Sequence, residues 1–378
     1  MKIIGYFCIL IVFLWSCSGT DTAPHESGKL AAIEVVEILH ITDEYAEDFL
    51  FGRIVGIGVD SDGYILVGDQ SERTIYHFSP DGDYLGNFGK EGAGPGEFGQ
   101  FFGLSITPDD SLYIQDMMQS RVQAFGKSSD GTWRFGSTIP LRRGDGAFPS
   151  SLYKISDNAF LIHYMRGISP AGATGNKPFL QLSDRDGQKL GDKILELEPF
   201  ETHVIRTDNQ VMAISIPHTY SMPFTVSRNG HIYAGYSDNF LISRYDIQGN
   251  HELDITWPVE PLALTREEKD EAVSNFGDAA SEVRSRIPDI RPAFIRLLVA
   301  DSGDLWVNRG RINDKEIWYV FTSDGSPLYQ VSLPSKYTVN QIRHGNIYGT
   351  LRDDDDLQSI LVFRYITDDS AEGFATNK

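Results

Sequence analysis

The chain is 378 residues long and carries 53 acidic against 33 basic side chains, a formal net charge of −20. So acidic a chain does not neutralise phosphates, which argues against nucleic acid as a partner. Its two cysteines supply neither a disulfide framework nor a four-cysteine zinc site, and 41% hydrophobic with 23% charged residues excludes both a disordered chain and a multi-span membrane protein.

Residues 1–16 read as a leader. Lys2 gives a positive start, and the apolar run Ile3–Trp15 is too short to span a bilayer but suits a signal-peptide core. Leu14-Trp15-Ser16-Cys17 resembles a bacterial lipobox, with Trp15 an unusual residue before the small Ser16. That resemblance implies cleavage before Cys17, lipidation of the Cys17 sulfur and a soluble domain anchored to the membrane through its N-terminal lipid. The alternative is an ordinary secretory leader with a chance cysteine. Cleavage also removes Cys8. Residues 17–30, polar and containing Pro24, read as a flexible tether.

An isolated β-prone run, Ala31–Thr42, comes next, and after it a repeated unit. Ile54–Phe88 reads strand, Asp-Gly turn, strand, polar loop, strand, Asp-Gly turn, strand, and Asp-Gly between β-prone runs is a strong hairpin signal. The unit recurs over Leu104–Phe125, Tyr153–Gly191, Phe224–Asn250, Arg296–Leu328 and Gln341–Ile366. Six units of three to four short strands predict an all-β fold, a six-bladed β-propeller over residues 31–366. The blades are expected at 52–90, 98–141, 147–197, 220–257, 291–333 and 337–366, with 367–378 as a C-terminal tail. The last unit is short of a strand; the run 31–42 is expected to supply it, closing the ring and removing exposed edges.

The loop Gly89, Gly92, Gly94, Pro95, Gly96, Phe98 after the first unit, and the outgoing run Arg121–Phe125, resemble NHL-repeat six-bladed propellers of the NHL/TolB-like kind. The glycine loop occurs once; later units depart from it. With the lipobox, the layout resembles six-bladed propeller lipoproteins of Gram-negative bacteria. This implies a cell-envelope location, with the outer membrane expected.

First-to-second-strand turns are uniformly tight, whereas Gly89–Gln100, Gly167–Lys177, Leu197–Ser221, Pro258–Pro292 and Asp353–Gln358 are long. A propeller places all of the latter on one face, and loops are where binding chemistry is usually carried. Pro258–Pro292 holds the one convincing helix: Thr265 and Glu268 form a capping box, Ala272, Val273, Phe276, Ala280, Val283 and Ile287 share a face, and Pro288 stops it. It is read as cover for the ring, or as a lid or partner-docking helix.

Aligning the units on their turns selects side chains at the loop-rich end of the ring: Arg53, Asp69, Asp116, His163, Tyr164, His218, Tyr220, Tyr236 and Arg309. Their mixture of carboxylates, guanidiniums, imidazoles and phenols suits a polar site near the axis. No H-x-H or H-E-x-x-H pair supports zinc, and Asp353–Asp356 lacks the spacing of a calcium loop. No cofactor is therefore expected. There is no G-x-S-x-G elbow. The chain is expected to act as a binding or assembly module for a protein, peptide or glycan rather than as an enzyme. The alternative is a metal-dependent propeller enzyme, a lyase or lactonase-like hydrolase with an axial site.

Overall fold

The computed structural model describes residues 29–44, 46, 48–143, 146–166, 177–206 and 211–367. The leader, Cys17 and nearly all of the tether lie outside the described residues. Six four-stranded antiparallel sheets follow one another along the chain. Strands β2–β5 lie between Ile54 and Phe88, β6–β9 between Leu104 and Pro140, and β10–β13 between Ala147 and Glu196. Strands β16–β19 lie between Phe224 and Thr256, β20–β23 between Arg296 and Pro334, and β24–β26 between Tyr337 and Ile366. This is the expected six-bladed propeller.

The ring closes as the short last unit requires. Strand β1, Glu34–Ile41, pairs antiparallel with β26 from Glu34 opposite Ile366 to Ile41 opposite Ile360. A cluster of Ile41, Ile57, Val59, Tyr348, Ile360 and Val362 then packs the last blade against the first. Hydrogen bonds and apolar burial therefore join the two ends of the ring at one seam.

The tight turns rest on short polar side chains. Asp60, fully buried, accepts from the N–H groups of Asp62 (3.0 Å) and Tyr64 (2.9 Å). It also takes the Lys127 ammonium at 2.6 Å, tying the first blade to the second. Gly89 leaves the first blade with φ +89°, and a Cβ there would meet the Phe98 ring at 2.1 Å, so that loop requires glycine.

Two insertions extend the face opposite the tight turns. Strands β14 (Thr202–Arg206) and β15 (Val211–Ser215) form an added hairpin between the third and fourth blades, where the sequence suggested only a loop. The predicted single helix is instead two: α1 (Arg266–Ala272), a 3-10 turn at Gly277–Ala279, and α2 (Ala280–Arg286). Its capping box is present, with Glu268 N–H donating to Thr265 Oγ1 at 3.2 Å. The break falls at Gly277, whose φ of +52° no right-handed helix accommodates. Val273, Val283 and Ile287 still share one cluster, with Ile216 and Leu264.

Candidate functional site

On the loop-rich face, between the third, fourth and fifth blades, lies a cavity of about 310 Å³. Its inner wall is built by β11 (Ala159–Arg166), β16 (Phe224–Val226) and β20 (Arg296–Val299), which contribute His163, Phe224 and Arg296. Leu197, Pro199, Phe200, Met222 and Ile295 make the remaining surface largely apolar, and Glu198 stands among them.

His163 lies edge-on to the Phe224 ring, with centroids 4.9 Å apart. Burial holds its imidazole at about 4, well below the ordinary 6.5, so the ring is neutral at pH 7. Its Nδ1 lies 2.7 Å from Ser150 Oγ, and the same hydroxyl lies 3.2 Å from the His163 carbonyl. The hydroxyl carries one proton. Donating it to the carbonyl leaves Oγ to accept from Nδ1–H, so Nε2 retains its lone pair. Ser150 thereby holds the ring in place, and this arrangement of the two contacts leaves the second ring nitrogen as a base.

Arg296 starts the innermost strand of the fifth blade and is half-buried in the cavity wall. Burial pushes it below its usual value, and Tyr153 opposes that shift. No carboxylate and no hydrogen-bond acceptor engages Arg296 among the described residues. A desolvated cation without a counter-charge is costly, and such groups concentrate where charge must be stabilised. At the rim, Glu198 is paired with Lys177.

The residues selected from sequence are distributed over several places. His163 lies in this cavity. His218 and Arg309 line an adjoining one of about 440 Å³, which shares Ile295 with the first. Tyr220 and Arg309 line a third, of about 720 Å³. There Tyr220 donates to the Ile290 carbonyl at 3.3 Å and lies edge-on to Tyr236. Asp69 and Asp116 are fully buried. Asp69 accepts the N–H groups of Gly52 (2.7 Å), Arg53 (3.2 Å), Ser71 (2.9 Å) and Glu72 (3.0 Å). Asp116 accepts from Gly99 at 3.0 Å and pairs with Arg121 at 3.4 Å. Both carboxylates hold backbone in place. The Arg53 side chain is exposed, and Tyr164 is buried and stacked on Phe179.

Arg296, Ser150 and Glu198 were not selected. Arg296 had a legible signal: a lone charge within the apolar run AFIRLLVA, at the start of an inner strand. Among the described residues no group of three His, Cys, Asp or Glu is placed to hold a metal ion. Asp353 instead accepts the N–H groups of Asp355 and Leu357 within its own loop.

A family model described as "6-bladed beta-propeller" matches residues 22–246. Among solved structures, the chain is similar to a protein of Bacteroides fragilis described as exported, at 13% identity and TM-score 0.53, covering 88% of this chain and 96% of that one. It is similar also to a member of the duf4221 family from Bacteroides vulgatus, at 10% identity and TM-score 0.51, covering 90% and 100%. A third match is virginiamycin B lyase from Staphylococcus aureus, at 11% identity and TM-score 0.43, covering 88% and 100%. No curated protein matches the sequence. The expectation of a binding or assembly module that is not an enzyme is corrected here. The matching rings include a lyase, a likeness of fold alone. All three likenesses are of fold.

Proposed function

We propose that this chain, which belongs to the 6-bladed beta-propeller family, is a hydrolase of the lactonase kind acting in the cavity between its third, fourth and fifth blades. The observation that carries this reading is the pairing in one apolar cavity of a neutral, Ser150-oriented His163 with an Arg296 that lacks a counter-ion.

A water held by His163 Nε2 attacks the lactone carbonyl carbon while the imidazole takes one of its protons. As the new C–O bond forms, the carbonyl electrons move onto oxygen, and the Arg296 guanidinium stabilises that oxyanion. Collapse re-forms the carbonyl and breaks the ring C–O bond. His163 returns the proton to the departing alkoxide, and the product is the open hydroxy acid. Phe200, Met222 and Phe224 hold the ring and limit access of bulk water. The metal that the alternative reading invoked has no fitting ligand set among the described residues.

The test is acid release from a panel of aliphatic and sugar lactones. Arg296→Met should lower kcat by about 10²- to 10³-fold, as loss of an oxyanion donor does. Absence of hydrolysis across the panel, or an unaffected Arg296→Met enzyme, refutes the proposal.

We infer the address from the leader. The lipobox-like Leu14–Cys17 supports a lipid-anchored protein of the Gram-negative envelope, and the Gly89–Phe98 loop supports the finer NHL-like kinship. Cys17→Ala should abolish incorporation of labelled fatty acid; retained labelling contradicts the anchor.

A further inference from the structure

Resting on that hydrolase reading, a second cavity says more about the substrate. The cavity of about 440 Å³ adjoins the His163 cavity at Ile295 and is roofed by α1. Most of its charges are matched. Arg291 pairs with Glu268, and Arg311 lies 3.7 Å from Glu271. Glu316 accepts from Asn308 Nδ2 at 3.1 Å.

Arg309 is the exception. It lies on β21 (Leu305–Ile312) and is only 6% exposed. One Nη donates to the Ala293 carbonyl, and the guanidinium sits 5.6 Å from the Tyr319 centroid and 6.0 Å from that of Phe240. Its Nε is buried with no acceptor, and no carboxylate pairs with it. The guanidinium also donates to the Tyr319 hydroxyl, so the protein holds a planar cation in a fixed orientation by carbonyl, hydroxyl and ring contacts, without a carboxylate to neutralise it. His218 lines the same cavity with a left-handed backbone, φ +58°, an uncommon conformation for a non-glycine residue that often marks a functional position. Burial and the nearby Arg291 keep its ring neutral at pH 7, leaving it an N–H to donate.

We propose that the substrate carries a second group, a carboxylate remote from the scissile carbonyl, and that Arg309 with His218 receives it across Ile295 from the catalytic cavity. A guanidinium matches a carboxylate through parallel N–H···O bonds from its terminal Nη groups. Such a ligand supplies the counter-charge that no carboxylate of the cavity gives Arg309. The substrate class is therefore an acid-bearing lactone rather than a neutral one.

The test compares one lactone ring bearing a carboxylate arm with the same ring as its methyl ester. The wild-type protein should prefer the acid in kcat/KM, and Arg309→Gln should reduce that preference about 10- to 100-fold, the worth of one charge-assisted pair. Arg309→Lys should keep part of it. The ratio of two substrates on one preparation is independent of the folded fraction, so a destabilised variant still reports. Binding of glutarate, followed by calorimetry, should likewise be weakened in Arg309→Gln. Equal turnover of acid and ester overturns this inference and leaves the hydrolase reading standing. Turnover of neither overturns the hydrolase reading, and the glutarate titration then decides the Arg309 site alone.

Discussion

His163 makes a quantitative prediction about stability. In the unfolded chain its pKa is the ordinary 6.5; in the folded protein burial holds it at about 4. Between these values the unfolded state binds a proton that the folded state does not. Stability from this residue is therefore fully present above pH 6.5 and is lost as the pH falls towards 4. Integrating the two titrations gives a loss of about 2.5 kcal/mol between pH 7 and pH 4.5, with about half of it by pH 5.5. Carboxylates also titrate over this range, so wild type must be compared with His163→Gln, which keeps a neutral polar group and removes the proton. Urea unfolding followed by fluorescence of the five tryptophans should show wild type losing stability relative to His163→Gln as the pH falls. A difference between the two proteins that stays flat from pH 7 to 4.5 refutes the assignment of a buried, neutral imidazole.

The scaffold predicts further outcomes. Asp69→Ala leaves four backbone N–H groups without their acceptor and should cost about 4 kcal/mol in urea unfolding. Gly89→Ala forces a Cβ to within 2.1 Å of the Phe98 ring at a positive φ, and should cost at least about 2 kcal/mol by the same assay. A chain starting at residue 43 lacks β1 and exposes the β26 edge. Compared with one starting at residue 29, it should melt earlier and self-associate in light scattering.

The ring itself was legible because each blade repeats the same strand–turn pattern, most clearly in the first with its two Asp-Gly turns, and a deficit of one strand at one end matched a spare strand at the other. The helical insertion was legible from Thr265, Glu268 and its apolar face, but Gly277 divides it, and a periodicity that runs through a glycine does not register the break. The hairpin of β14 and β15 escaped notice because it has no Asp-Gly turn and stands outside the repeat. At the site, the alignment on turns reaches His163, within a second strand, but the matching position on the fifth blade's inner strand is Ala293, three residues before Arg296. Asp69 and Asp116 stand in the sequence as carboxylates at the loop-rich end. That a buried carboxylate there serves backbone N–H groups depends on the path of the incoming loop, which only the folded chain fixes.

The measurement that tests the central claim most directly is kcat for lactone hydrolysis by wild type and His163→Gln at pH 7, with both proteins shown to be folded by their unfolding curves. If the imidazole is the general base, kcat should fall by about 10²- to 10⁴-fold. An unchanged kcat in a folded His163→Gln protein would contradict the account.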